Sequence, residues 1–261
     1  MDLIIRAFCP KIKYQRKPEE TDMQLHVYEN AEQVSLACAM LIAARVTEKP
    51  DCVLGLATGS SPVKTYSQLI AWHKAGVLDF SRCVSYNLDE YVSIPYDHEQ
   101  SYHRFMQDNL FYGINMKETH VPDGNAKNLK AECRRYDNAI KTAGGIDLQL
   151  LGIGRNGHIG FNEPAEQFVY GTQIVNLTKS TIEANRRFFD SEEQVPRQAI
   201  SLGIGGIMDA KTVVLIAMGA DKADAIKALV TGDVTPKVQA SILRTHQNAV
   251  ILVDQAAASK L

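Results

Sequence analysis

No stretch of the chain approaches the roughly 18 consecutive apolar residues that a membrane-spanning helix needs. Neither sign of charge dominates. With 28 Lys and Arg against 30 Asp and Glu, the net charge is −2, so no nucleic-acid groove and no basic membrane face is expected. Cysteine is sparse. Cys9, Cys38, Cys52, Cys83 and Cys133 are odd in number and form no C-x-x-C pair. That argues against a disulfide framework or a thiolate zinc site and fits a reducing, cytoplasmic setting. A signal peptide is missing as well: a short apolar patch precedes a basic, proline-containing segment, the reverse of the secretory order. Residues 1–22 read as a tail or an appended extension, with the domain at 23–261.

Several catalytic signatures are also absent. There is no G-x-x-x-x-G-K-[ST] loop, no G-x-S-x-G elbow and no catalytic-cysteine signature. His26, His73, His98, His103, His120 and His246 show no H-E-x-x-H or comparable ligand spacing, so no metal site is expected.

What remains is a chain of 261 residues, 45% hydrophobic, enough for one large α/β core. Apolar runs recur at Val53–Leu56, Cys83–Leu88, Leu148–Leu151, Val213–Ala217 and Ala249–Val253. Most lack polar alternation, as parallel strands covered on both faces do. Between them, helical spacing occupies 31–47, 62–75, 100–111, 126–143 and 221–231. The alternation predicts a single doubly wound, mostly parallel α/β sheet with helices on both faces, Rossmann-like in class.

Polar motifs follow the strands, and in such sheets ligands bind outside the carboxyl ends of strands. After the first run comes Ala57-Thr-Gly-Ser-Ser-Pro62, a glycine turn entering a helix. Free backbone N–H groups there, with the hydroxyls of Thr58, Ser60 and Ser61, suit a phosphate. Two cations point the same way: Arg187, and Lys222 at a helix start, where a lysine opposes the helix dipole unless an anion lies between them. Asp89 and Glu90 follow the second run. Neighbouring residues point opposite ways, so one of the two faces the site as a general base, and the sequence alone does not say which.

The third run leads into Gly152-Ile-Gly-Arg-Asn-Gly157, which matches G-x-G-x-x-G. A dinucleotide turn must run directly into a helix. Here the chain continues His158-Ile-Gly-Phe-Asn-Glu-Pro164, which is no amphipathic helix, so the fingerprint is a chance match and no nicotinamide cofactor is expected. Glycines flanking His158 instead make a loop that brings backbone close to a ligand. Asn156 and Glu163 are near enough to orient or charge-stabilise the imidazole. The residues together describe a cofactor-free acid/base enzyme for a small phosphorylated metabolite.

Leu56-Ala-Thr-Gly-Ser-Ser-Pro62, Asn87-Leu-Asp-Glu-Tyr91, the segment Gly152 to Pro164 and Asn185-Arg-Arg-Phe-Phe-Asp190 together resemble the glucosamine-6-phosphate deaminase family, and the likeness runs from about Met23 to about Asp254. The family converts D-glucosamine 6-phosphate and water into D-fructose 6-phosphate and ammonia, with no redox cofactor or catalytic metal. The resemblance makes Asp89 the base that moves a proton between C2 and C1. It makes His158, supported by Glu163 and Asn156, the group that assists ring opening. Thr58, Gly59, Ser60 and Ser61, with Arg187 and Lys222, become the phosphate site. The implied partner is an amino-sugar phosphate, with neither nucleic acid nor membrane. The family contains both monomers and hexamers, so self-association stays open.

Two departures stand out. Some members carry aspartate where this chain has Asn156. Members activated by N-acetylglucosamine 6-phosphate carry basic residues where this chain has Gln173 and Val175, which predicts no such activation. Two other functions fit the fold class: a 6-phosphogluconolactonase, and a non-catalytic sugar-phosphate sensor. The first lacks a reason for the Asp89-Glu90-Tyr91 and His158–Glu163 pairing. The second usually carries a DNA-binding module, for which a 22-residue leader is too short.

Overall fold

The computed structural model describes residues 23–178, 182–183, 186, 191 and 194–261. Residues 1–22, read above as a tail or extension, lie outside the described residues. The strands are β1 (Gln24–Tyr28), β2 (Val53–Leu56), β3 (Val84–Asn87), β4 (Asp89–Tyr91), β5 (Glu118–His120), β6 (Leu148–Leu151), β7 (Gln173–Asn176), β8 (Gln198–Ser201), β9 (Val213–Ala217) and β10 (Ala249–Asp254). The helices are α1 (Ala31–Glu48), α2 (Val63–Lys74), α3 (Tyr102–Asn109), α4 (Leu129–Thr142), α5 (Ile204–Met208) and α6 (Ala223–Thr231).

Continuous apolar runs become the interior strands. Every residue of β9, and of β10 up to Val253, is at most 1% exposed, and each large side chain so buried contributes roughly 1.5–3 kcal/mol. Seven strands form one sheet in the order β1-β10-β9-β6-β2-β3-β5, and every neighbouring pair in it is parallel. Helices α1 and α2 pack on each other, tied by Thr65 Oγ1 donating to the Ser35 carbonyl, and α1 lies over β9 and β10. Helix α4 lies along β3, where Tyr136 meets the Tyr86 ring edge-on and donates to the Asn87 carbonyl. Among the described residues no helix is long and apolar enough to cross a membrane.

The chain moves outward from β2 to β3 and β5 on one side, then returns to β6 on the other side before adding β9 and β10. The strand order therefore reverses between β2 and β6. In doubly wound sheets the crevice beyond the carboxyl ends of two such strands is where ligands bind. The two longest motifs, Ala57–Pro62 and Gly152–Pro164, leave from these two strands.

The expected doubly wound architecture forms, with β1 and β5 added at the edges of the large sheet and a further sheet beside it. A second sheet, β4-β8-β7, is antiparallel throughout. The run read as Cys83–Leu88 is shorter than expected, because the chain changes partner at Leu88. Its N–H donates to the Leu56 carbonyl of β2, while its own carbonyl accepts from Leu202 just after β8. Asp89, Glu90 and Tyr91 then pair with Ser201, Ile200 and Ala199.

Candidate active site

Asp89 begins β4, and strand alternation sends it and Glu90 in opposite directions. Asp89 lines a cavity of about 700 Å³ at the carboxyl edge of the large sheet. Glu90 turns away and takes three backbone N–H groups: Tyr91 at 2.8 Å, Tyr102 at 2.9 Å and His103 at 2.8 Å. The last two are free amides in the first turn of α3, so Glu90 caps that helix together with Ser101, which accepts from Arg104. The question left open by the sequence is thereby answered in favour of Asp89.

No donor among the described residues bonds the Asp89 carboxylate, which is 6% exposed. Burial, with the charge of Glu90 adding to it, pushes this carboxyl up to about 8. Burial also pushes Glu90 up to about 7, against its three backbone bonds. A carboxyl raised toward neutrality, without a partner among the described residues and facing a cavity, is equipped for proton transfer near physiological pH.

The loop after β6 supplies the imidazole. His158 Nδ1 lies 3.1 Å from Glu163 Oε1, an ion-pair contact whose alignment falls short of a straight hydrogen bond. Glu163 Oε2 accepts from Asn156 Nδ2 at 2.6 Å, and Asn156 Oδ1 accepts from the His158 backbone N–H at 3.2 Å. Asn156 thus reaches the imidazole through Glu163 rather than by a bond to the ring. Burial pushes Glu163 up, but His158 and Asn156 outweigh it and hold the carboxyl below its ordinary value. His158 Nε2 has no partner among the described residues.

Glycine at 154 has a steric reason, whereas a side chain at Gly152 would meet nothing within 4 Å. The His158 ring lies against Gly154, where any side chain would begin 2.3–2.5 Å from the ring atoms. At Gly160 a Cβ would sit 3.5 Å from Asp89 Oδ2, so the imidazole loop passes directly beside the buried carboxyl. Asn162 is structural, donating to the carbonyls of Ile159 and Leu202 and accepting from Gln173 Nε2.

Thr58, Gly59, Ser60 and Ser61 line the same cavity, with Gly59 at a φ of +90° that side chains disfavour. Three helices begin at a residue whose side chain caps the free N–H groups: Asn30 for α1, Ser101 for α3 and Asn128 for α4. Helices α2 and α6 begin at Pro62 and Lys222 with no side-chain cap. Helix α5 likewise starts at Gly203 without a side-chain cap, and α6 continues a 3-10 turn (Ala220–Lys222) whose backbone bonds already engage the Lys222 and Ala223 N–H groups. The start of α2 opens toward the cavity, which Ser61 and Lys222 line, and an anion is the natural partner of such an uncapped end. Arg187 lies outside the described residues.

The structure thus gathers Asp89, Asn156, His158, Glu163, Thr58, Gly59, Ser60, Ser61 and Lys222 around one cavity. It also adds residues the sequence reading did not single out: Arg155, Tyr102 and Phe161 among them. Arg155 was visible as the cation inside the glycine motif. Tyr102 and Phe161, stacked with ring centroids 6.0 Å apart, carried no signal, because Tyr102 reaches the cavity only through the Glu90 cap on α3. Among the described residues no three His, Cys, Asp or Glu side chains gather as metal ligands would.

The arrangement combines a raised carboxyl, a carboxylate-backed imidazole and an anion cradle in a space suited to a small polar metabolite. The profile of the family described as glucosamine-6-phosphate isomerases/6-phosphogluconolactonase matches residues 27–252. The chain is 50% identical over 239 residues to a glucosamine-6-phosphate deaminase of Thermoanaerobacter sp. (strain X514), covering 91% of this chain and 94% of that protein. The solved structure of a monomeric glucosamine-6-phosphate deaminase superposes with a TM-score of 0.87 at 42% identity, over 91% of this chain and 99% of that one. A 6-phosphogluconolactonase from Thermotoga maritima shares the fold, with a TM-score of 0.70 at 18% identity, over 89% of this chain and 98% of that one.

Proposed function

The chain belongs to the glucosamine-6-phosphate isomerase/6-phosphogluconolactonase family, and we propose that Asp89, His158 and the cradle around Ser61 and Lys222 carry out the deaminase reaction of its relatives. That reaction takes D-glucosamine 6-phosphate and water to D-fructose 6-phosphate and ammonia. The observation that carries the assignment of roles is the buried Asp89 carboxyl, unpartnered among the described residues, facing the same cavity as the His158–Glu163 pair.

The phosphate is held by the Thr58–Ser61 turn, the uncapped start of α2 and Lys222, with Arg187 as the further cation of this reading. This fixes the sugar against both proton-transfer groups, and positioning alone supplies part of the rate. His158, through Nε2, moves a proton from the C1 hydroxyl to the ring oxygen and opens the pyranose. Glu163 supports the charge that passes through the ring, and Asn156 holds Glu163. Asp89 then removes the C2 proton while the C1 oxygen gains one, giving an enolamine. Return of the proton to C1 leaves an imine at C2. Water adds there, its oxygen becomes the C2 carbonyl, and ammonia leaves.

Gln173 bonds Asn162 and Val175 packs beside Tyr91 and Ala199, so neither offers a charge to an effector. We infer that N-acetylglucosamine 6-phosphate does not activate the enzyme; sigmoidal substrate kinetics made hyperbolic by that compound contradict this.

The deciding experiment supplies purified protein with glucosamine 6-phosphate and reads ammonia and fructose 6-phosphate together, beside Asp89→Asn. Equal release of both products, lost in the variant, is the expected result. Hydrolysis of 6-phosphogluconolactone without ammonia release points to the lactonase instead, and inertness toward both points to a binding role.

A further inference from the structure

Arg155 stands one residue before Asn156 and lines the cavity together with Lys222. Its Nε donates to Asp221 Oδ2 at 3.1 Å, and Lys222 Nζ lies 3.5 Å from the same oxygen. The two cations come from different parts of the sheet, one from the loop after β6 and one from the turn after β9. Asp221, which does not line the cavity, is the counter-ion they share, and one carboxylate against two cations leaves net positive charge at the rim. Arg155 holds Asp221 below its ordinary value, although Asp221 is close to solvent.

Stability does not explain this bridge. The Arg155 side chain is 79% exposed and that of Asp221 43%, and an ion pair so exposed is worth roughly 0–1 kcal/mol. Arg155 engages Asp221 through Nε alone, and its other N–H donors have no partner among the described residues. A planar guanidinium with an open edge, held beside a lysine, matches an oxyanion that accepts several hydrogen bonds.

We propose that Arg155 is a specificity-determining residue that binds the substrate phosphate, and that Asp221 is a positioning residue that holds its guanidinium beside Lys222. The proposal rests on the sugar-phosphate reading above and extends it to a residue which that reading does not use. The two partners act with opposite sign. Arg155 attracts the phosphate, whereas the Asp221 charge lies next to the dianion and repels it. A bridge that merely strapped the two loops together would instead make loss of either partner equivalent.

The test measures steady-state kinetics with glucosamine 6-phosphate, and competition by inorganic phosphate, for Arg155→Ala, Arg155→Lys and Asp221→Asn. Arg155→Ala raises KM and the phosphate inhibition constant about tenfold, the loss of one charge-assisted contact, and leaves kcat within about twofold. Arg155→Lys recovers part of both, and Asp221→Asn lowers both or leaves them in place. The proposal falls if Arg155→Ala leaves KM and phosphate inhibition unchanged in an active enzyme. It falls equally if Asp221→Asn reproduces the Arg155→Ala defect. If the wild type releases no ammonia, the functional reading fails by itself. Calorimetric titration of inorganic phosphate into wild type and Arg155→Ala then decides the role of Arg155: weaker binding in the variant supports it, and equal binding overturns it.

Discussion

At Asp89 the needs of folding and of chemistry conflict. Its carboxyl titrates from 3.8 in an exposed setting to about 8 in the folded protein, chiefly through burial. Between these values the native state holds a proton that the unfolded chain releases. The associated stability is complete below about pH 4 and is lost as pH rises through about 8. Asp89→Asn keeps the shape without the charge, so it is expected to melt above the wild type at pH 9, with the gap closing toward pH 4. The same variant loses about 10²–10⁴-fold in kcat. Melting curves at both pH values and one rate measurement check this; a variant that melts no higher at pH 9 contradicts it. In the wild type, kcat/KM is expected to climb with pH toward about 8, since the base must be ionised to act.

Asn156 is the second residue whose chemistry can be tested by charge. Its Nδ2 donates to Glu163 at 2.6 Å. Asn156→Asp exchanges that donor for a carboxylate, and two carboxylates so close share a proton, raising the now depressed Glu163. The kcat–pH profile is expected to shift while turnover persists, and an identical profile sinks the idea. Legibility at this scale follows locality. His158, Asn156 and Glu163 fall within eight positions of one another, so their meeting could be read from the sequence. Which of Asp89 and Glu90 faces the cavity could not, since that depends on β8 pairing with β4 from more than a hundred residues away.

Among the elements, α3 and β4 depend on each other through Glu90. In Glu90→Gln an amide NH₂ must face one of three backbone donors, which costs roughly 1–3 kcal/mol. Thermal denaturation is expected to show a drop of several degrees. The variant also removes the charge that helps raise Asp89, so the acid limb of kcat/KM is expected to move to lower pH. A limb that stays in place means the Glu90 charge does not reach Asp89. Strands β2, β9 and β10 were legible because burial on both faces writes itself as a continuous apolar run, and β6 because its run is broken only by Gln149. Strand β5 (ETH) is exposed at a sheet edge, and β4, β7 and β8 are short and mixed in polarity. Their pairing is fixed by tertiary contacts that no local pattern records.

Across the whole molecule, the cavity occupies the carboxyl edge of the large sheet, and the opposite edge carries a charge cluster of its own. Asp147, 1% exposed, accepts from Lys49 and Lys211 at 2.7 Å each and from the Val53 N–H at 2.8 Å. Burial pushes this carboxyl up, but the lysines and the amide together hold it below 3.8. Its stabilisation is therefore present above about pH 4 and lost as pH falls through the lower native value. Asp147→Asn is expected to cost about 1–3 kcal/mol near pH 7, since an amide cannot satisfy the buried Val53 N–H and both lysines at once, and less in acid, with kcat unchanged because the cluster lies at the far edge. A change in kcat of more than about twofold is evidence against that separation.

The proposed base and the proposed anion cradle belong to different sheets. Thr58–Ser61, Lys222 and the His158 loop hang from the seven-stranded sheet, whereas Asp89 lies in the three-stranded one. The seam between them includes Phe161 N–H to Ser201 Oγ, Asn162 Nδ2 to the Leu202 carbonyl, Gln173 Nε2 to Asn162 Oδ1, and Leu88, which bonds Leu56 on one side and Leu202 on the other. On the proposed roles, the three-stranded sheet carries the base alone, while ligand recognition and ring opening stay with the seven-stranded one. A graft that carries β4, β7 and β8 together with Ser201 and Leu202 brings a new base to an old cradle already in register. One that leaves the seam behind transplants a carboxylate with nothing to aim it.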